Sequence, residues 1–200
     1  HRNSLSGEKS MSKSPFLAAA LFAVAFAIPA FAQDAAKKDA AVKPADPESK
    51  VVLDSWNDIG RKLIAMAEDF PEDKYDFKPT PAQRSFAEQL LHVAGANYFF
   101  INPVMGQKPP AAEDPKRDQY KTKADVVVFV KKSFADGAAA IKSKGEKGLN
   151  DTFVDSFSHQ QVRVIDYAYG FIEHGGEHYG QLVGYYRLSG LVPPESRPKK

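Results

Sequence analysis

Val52, Trp56, Ile59, Leu63, Met66 and Phe70 recur at spacings of 4, 3, 4, 3 and 4 residues. That interval lines one face of a helix and no face of a strand. Pro71 closes this first helix. A second is predicted after Pro79 and Pro81, where Ser85-Phe86-Ala87-Glu88 forms a capping box in which hydroxyl and carboxylate satisfy orphan backbone N–H groups. It carries Phe86, Leu90, Val93, Asn97 and Phe100 inward and is expected to stop at Asn102-Pro103. A third opens with the similar cap Thr122-Lys123-Ala124-Asp125 and buries Val127, Val130, Phe134 and Ile141. A fourth is expected from about Gln161 to Ser189, with Val164, Ala168, Phe171, Leu182, Tyr185 and Leu188 inside. Sustained strand alternation is absent, and the apolar run 125–130 is assigned to helix by its cap and the spacing beyond it. Four amphipathic helices make an all-α chain, a four-helix bundle. Its linkers at 104–121 and 145–160 are long for simple up-down topology and imply at least one crossover connection.

The N-terminal sequence reads as an address. Lys13 precedes an apolar run from Phe16 to Ile28, then Pro29-Ala30-Phe31-Ala32, the pattern of a signal peptide over 11–32 cut after Ala32. Thirteen apolar residues fall short of the ~20 a spanning helix needs. Residues 1–10, ahead of Met11, read as an upstream extension. Residues 33–50, rich in Ala, Lys, Asp, Pro and Glu, read as a disordered linker. The folded domain is expected over 51–198, exported to the periplasm or the extracellular space and not held in the membrane once the leader is cut.

Composition then narrows the chemistry. The chain has no cysteine, which excludes disulfides, a thiolate nucleophile and thiolate-rich zinc sites. Of 27 Lys and Arg and 25 Asp and Glu, three basic residues (Arg2, Lys9, Lys13) and one acidic (Glu8) precede residue 33, so the remainder is balanced in charge. A balanced chain offers no electrostatic case for nucleic acid.

Histidine carries the functional signal. His174 and His178 are one turn apart on the predicted fourth helix and continue the stripe of Phe171, Leu182 and Tyr185, so they face the interior together. Two imidazoles at i and i+4 can bite one metal ion. His92, in the middle of the second helix, is the third ligand the pattern selects. Three neutral nitrogens leave coordination positions open, as in catalytic sites. His159 sits in a polar loop and is expected to be solvated. Glu173 and Glu177 precede the paired histidines by one residue, point about 100° away and are expected to face solvent. Gln181, three residues after His178, is a candidate hydrogen-bond partner behind the ligands. Glu88 lies one turn before His92 but is claimed by its cap. Gly176, Gly180 and Gly184 form a smooth stripe, read first as tight helix packing and second as room for a substrate.

Two separated segments carry a resemblance to a known family. Tyr75-Asp76-Phe77-Lys78-Pro79-Thr80-Pro81, Arg84-Ser85-Phe86-Ala87-Glu88 and Leu91-His92-Val93-Ala94 resemble the N-terminal half of the DinB-like (DNA-damage-inducible) superfamily of small metal-binding bundles. Glu177-His178-Tyr179-Gly180-Gln181-Leu182 and Tyr186-Arg187-Leu188-Ser189-Gly190-Leu191 onward to Arg197 resemble its C-terminal half. The resemblance implies a bundle whose second and fourth helices give three histidines, here His92, His174 and His178, to a divalent ion. Nickel, zinc and iron all suit such a donor set. Relatives of this kind are S-transferases or isomerases that use bacillithiol, mycothiol or glutathione. The export leader departs from these cytosolic enzymes, because reduced small thiols are scarcer outside the cytoplasm. The expectation is therefore a metal-dependent enzyme that activates a water or thiol toward a small electrophilic substrate. The alternative is a non-catalytic exported binding module with a structural or vestigial metal site. Bundle faces often dimerise, so a second copy is the other partner considered, although no stripe is surplus to one core.

Overall fold

The computed structural model describes residues 47–111, 114–155 and 157–198. The leader, the upstream extension and the linker up to residue 46 lie outside them. Four α-helices make up most of the described chain: α1 (Glu48–Asp69), α2 (Phe86–Val104), α3 (Lys123–Gly148) and α4 (Val164–Leu188). No described helix is long and apolar enough to cross a membrane.

Contacts at the two ends give the direction of each helix. At one end, Phe70 at the close of α1 stacks on Phe86 at the start of α2, with ring centroids 3.8 Å apart. Lys123, opening α3, donates to Phe70 O at 2.8 Å, and Tyr186, near the close of α4, donates to Met66 O at 2.9 Å. At the other end, Glu146 accepts from Glu48 N and Ser49 N, while Ile165 N donates to Leu149 O. Thus α1 and α4 run one way, and α2 and α3 the other. α1 packs on α3 and α4, as does α2, so α1 and α2 occupy opposite corners. Because α2 and α3 are parallel, residues 105–122 must travel the length of the bundle. This is the expected crossover connection.

Local sequence sets the helix ends. Both capping boxes form: Ser85 Oγ accepts from Glu88 N at 3.2 Å while Glu88 Oε2 accepts from Ser85 N at 2.7 Å, and Thr122 with Asp125 repeats the exchange. All six apolar positions expected on α1 are buried. Trp56 anchors the centre, its indole N–H donating to Phe134 O at 2.9 Å.

Six expectations need correction. α1 begins at Glu48, three residues inside the presumed linker, because Glu146 reaches across to cap its first amides. α2 runs one residue past Pro103, where the ring removes only the one hydrogen bond to Phe99 O near the helix end. α4 begins at Val164, since 161–163 pairs antiparallel with 152–154 in a short hairpin, β1 (Thr152–Val154) and β2 (Gln161–Arg163). Val126 lies deeper than Val127, and Leu188 is 67% exposed. The glycine stripe does not serve tight packing among the described residues: a Cβ on Gly176, Gly180 or Gly184 would meet none of their atoms within 4 Å. Replacing all three with alanine is expected to stabilise the protein by about 2–3 kcal/mol, from roughly 0.8–1 kcal/mol each in helix propensity. A denaturant melt checks this, and a loss of stability would reveal another surface seated on the stripe.

Candidate metal centre

The capping box sets the phase of α2, placing Gln89 and His92 three residues apart on one face, toward α4. On α4, Gly175 supplies the counterpart. Ile59 and Leu63 of α1 pack where its side chain would be, a Cβ there lying 3.0 Å from Ile59 Cγ1. That contact beds α4 on α1 between His174 and His178. Tyr185 completes the alignment by donating to Arg84 O at 2.6 Å.

The three histidines selected from sequence come together. His92 Nε2 lies 3.2 Å from His174 Nε2, and His178 Nε2 lies 3.0 Å from the same atom. One nitrogen from each ring falls within 4.8 Å of the others. Nitrogens about 2.0–2.1 Å from a common ion are separated by roughly 3–3.5 Å in tetrahedral or octahedral geometry, so the spacing fits a shared ion. His92 and His178 are each 6% exposed and His174 is half-buried, which makes it the rim of the site.

Groups behind the three imidazoles hold the rings. His92 Nδ1 meets Asp114 Oδ1 at 2.5 Å, and Asp114 Oδ2 accepts from Arg84 Nη2 at 2.9 Å. Burial alone would raise the Asp114 carboxyl, but hydrogen bonds from Arg84 and His92 outweigh it and hold the group below the usual carboxylate range. His178 Nδ1 lies 2.9 Å from the Gln89 side-chain amide, which also bonds Gln181. An amide presents oxygen or nitrogen from equivalent positions. As it stands Gln89 Nε2 faces Nδ1 and donates to Gln181 Oε1; the metal-binding tautomer of His178 needs both amides turned, so that Gln89 Oε1 accepts from His178 Nδ1–H and from Gln181 Nε2 while the His178 Nε2 lone pair faces its neighbours.

Sequence reasoning missed two of these groups. Gln89 had a signal, three residues before His92. Asp114 had none, being a loop position delivered by the crossover. Gln181, expected behind the ligands, reaches His178 only through Gln89. Glu173 and Glu177 face solvent, Glu88 is held in its cap, and His159 is exposed in the hairpin turn with φ of 56°, all as expected.

Burial, then repulsion from His174 and His92, pushes the His178 imidazole down to about 3. The unfolded chain takes up that proton near pH 6.5, whereas the folded one resists it. Metal-free protein should therefore lose stability as pH falls from 6.5 toward 3. Asp155 adds a second, lower window: burial would raise it, but hydrogen bonds from Ser158 and Tyr167 bring it down to about 2. Its share is lost only below the unfolded carboxylate value near 3.9. Melting midpoints against pH should fall less steeply between 6.5 and 4.5 in His178→Gln than in wild type; equal slopes would contradict the assignment.

Comparison with known proteins agrees with this architecture. The family model described as the DinB superfamily matches residues 56–182. The fold is similar to that of a DinB-like protein from Bacillus cereus ATCC 10987, with TM-score 0.61 and 15% identity, covering 72% of this chain and 95% of that one. It is also similar to a DinB-like protein from Bacillus subtilis, with TM-score 0.56 and 18% identity, covering 74% and 99%. No curated protein matches.

Proposed function

Because this chain belongs to the DinB superfamily, we propose that it is an exported metal-dependent enzyme in which His92, His174 and His178 hold a divalent ion. The observation that carries this reading is the convergence of three imidazole nitrogens, 3.0 and 3.2 Å apart, at the rim of an apolar core. Lewis acidity is what such an ion supplies when bound, activating a water or thiol toward a small electrophilic substrate. The chain's own residues do the rest. Asp114 and Gln89 orient the imidazoles of His92 and His178. The buried flank around Leu90, Val93 and Leu182 keeps bulk water from the inner side. His174, the least buried of the three, marks the side from which a substrate approaches. Nickel, zinc and iron all suit three neutral nitrogens. The reading of residues 11–32 as a leader supports work outside the cytoplasm, where water is the more available nucleophile than a small thiol.

Elemental analysis tests this directly, on protein from Gln33 onward without a histidine tag, beside a His92/His174/His178 triple-alanine variant. Near-stoichiometric metal that disappears in the variant is expected. Absence of metal after reconstitution would remove the site and leave a binding module. Metal without turnover over a panel of electrophiles would confine the ion to a structural role.

A further inference from the structure

Among the described residues of the crossover, Asp114 meets the histidine cluster, and it arrives there from a segment with no helical periodicity. Its two oxygens do different things. Oδ1 meets His92 Nδ1 at 2.5 Å, whereas Oδ2 takes Arg84 Nη2 at 2.9 Å. Arg84 is itself fixed, because its carbonyl accepts from Tyr185 of α4 at 2.6 Å. The carboxylate is thus pinned by a residue bonded to the helix that carries the other two histidines. Farther along, Arg117 Nε donates to Asp76 Oδ1 at 2.9 Å and holds the crossover against the α1–α2 connection.

The chemistry of an imidazole makes this arrangement selective. A neutral ring has one N–H and one lone pair, and the partner of one nitrogen decides the state of the other. An ionised carboxylate only accepts, so Asp114 requires the proton on Nδ1 and leaves the lone pair on Nε2. An exposed ion pair of Asp114 with Arg84 contributes little to folding by itself.

Resting on the metal reading above, we infer that Asp114 is a positioning residue that locks His92 in the tautomer aiming its Nε2 lone pair at His174 and His178, and that it thereby couples the crossover to metal binding. Outer partners of this kind alter metal affinity by roughly 10–100-fold. Coupling is reciprocal, so an ion that favours the oriented ring also favours the docked crossover.

The experiment titrates wild type, Asp114→Ala and Asp114→Asn with Zn²⁺ against a chelating dye, and melts each protein metal-free. Asp114→Ala should bind zinc about 10–100-fold more weakly while the metal-free midpoint changes little, because Asp114 is 53% exposed and water can take its place on His92 Nδ1. Asp114→Asn, which keeps an acceptor oxygen but also offers an N–H to the ring, should fall between. Hydrogen exchange supplies a second readout: zinc should slow the amides of residues 116–120 in wild type and leave them unaltered in Asp114→Ala. Zinc bound equally by wild type and Asp114→Ala overturns this inference alone, as does a metal-free midpoint that falls in step with the affinity. Wild-type protein that takes up no zinc overturns the metal reading and this inference with it.

Discussion

His178→Ala protein is expected to retain no stoichiometric metal while remaining a helical bundle of lower stability. Each half of that result has its own cause. Removing one of three nitrogens takes away a direct ligand, a larger change than the roughly 10–100-fold expected for disturbing a group behind one. The stability loss comes from what the imidazole leaves. His178 is 6% exposed and contacts the Gln89 amide at 2.9 Å, so alanine leaves that buried amide with Gln181 alone and opens a cavity beside it, at a cost of about 1–3 kcal/mol. His174→Ala separates the two effects, because His174 stands at the half-buried rim. It should lose metal as completely but keep more stability. Elemental analysis and a denaturant melt on both variants read the two quantities independently. Near-stoichiometric metal in His178→Ala would refute the ligand set, and full turnover by a metal-free variant would refute the enzyme.

The variants available for such tests follow how the site was legible. Residues whose role repeats with the helical period could be read in advance. The α1 stripe from Val52 to Phe70 is buried throughout, and the same rule puts His174 and His178 on one face, while His92 is selected as the other histidine inside a predicted helix. Both capping boxes were visible because their chemistry is local, three residues from end to end. What escaped is non-local or short. Strands of three residues are too brief to display alternation, so the hairpin of 152–154 with 161–163 was absorbed into a loop and the start of α4. Glu146 caps α1 from the far end of α3, a pairing of residues nearly a hundred positions apart. Asp114 reaches His92 only because α2 and α3 are parallel and the chain must return along the bundle. The glycines of α4 were misjudged for another reason: spacing shows that small residues share a face, but not whether anything lies against it.

Gly137 is the opposite case, a glycine whose face is fully occupied, and Gly137→Ala should be among the most damaging single changes in the domain. A Cβ there would lie 1.9 Å from Trp56 Cζ2 and 2.5 Å from Cε2, far inside contact distance. Alanine is worth about 1 kcal/mol over glycine in an open helix, so the sign depends on whether the indole can yield. Its surroundings say it cannot. Trp56 is 1% exposed, sits 5.3 Å from the Phe100 ring and 5.7 Å from that of Phe134, and its N–H is committed to Phe134 O. Moving the ring leaves that buried donor unpaired, about 1–3 kcal/mol, in addition to overpacking of similar size. A net loss of roughly 1–5 kcal/mol is expected once the propensity gain is subtracted. The double-mutant cycle with Trp56→Phe checks the mechanism, since a smaller ring should remove most of the penalty. Equal cost in both backgrounds would show that the clash is relieved elsewhere. The effect should reach the histidines as well. α1 carries Trp56 one turn before Ile59, and Ile59 is the residue on which Gly175 beds α4. Pushing α1 away from α3 therefore disturbs the support between His174 and His178, and Gly137→Ala should weaken zinc binding although it touches none of the three ligands.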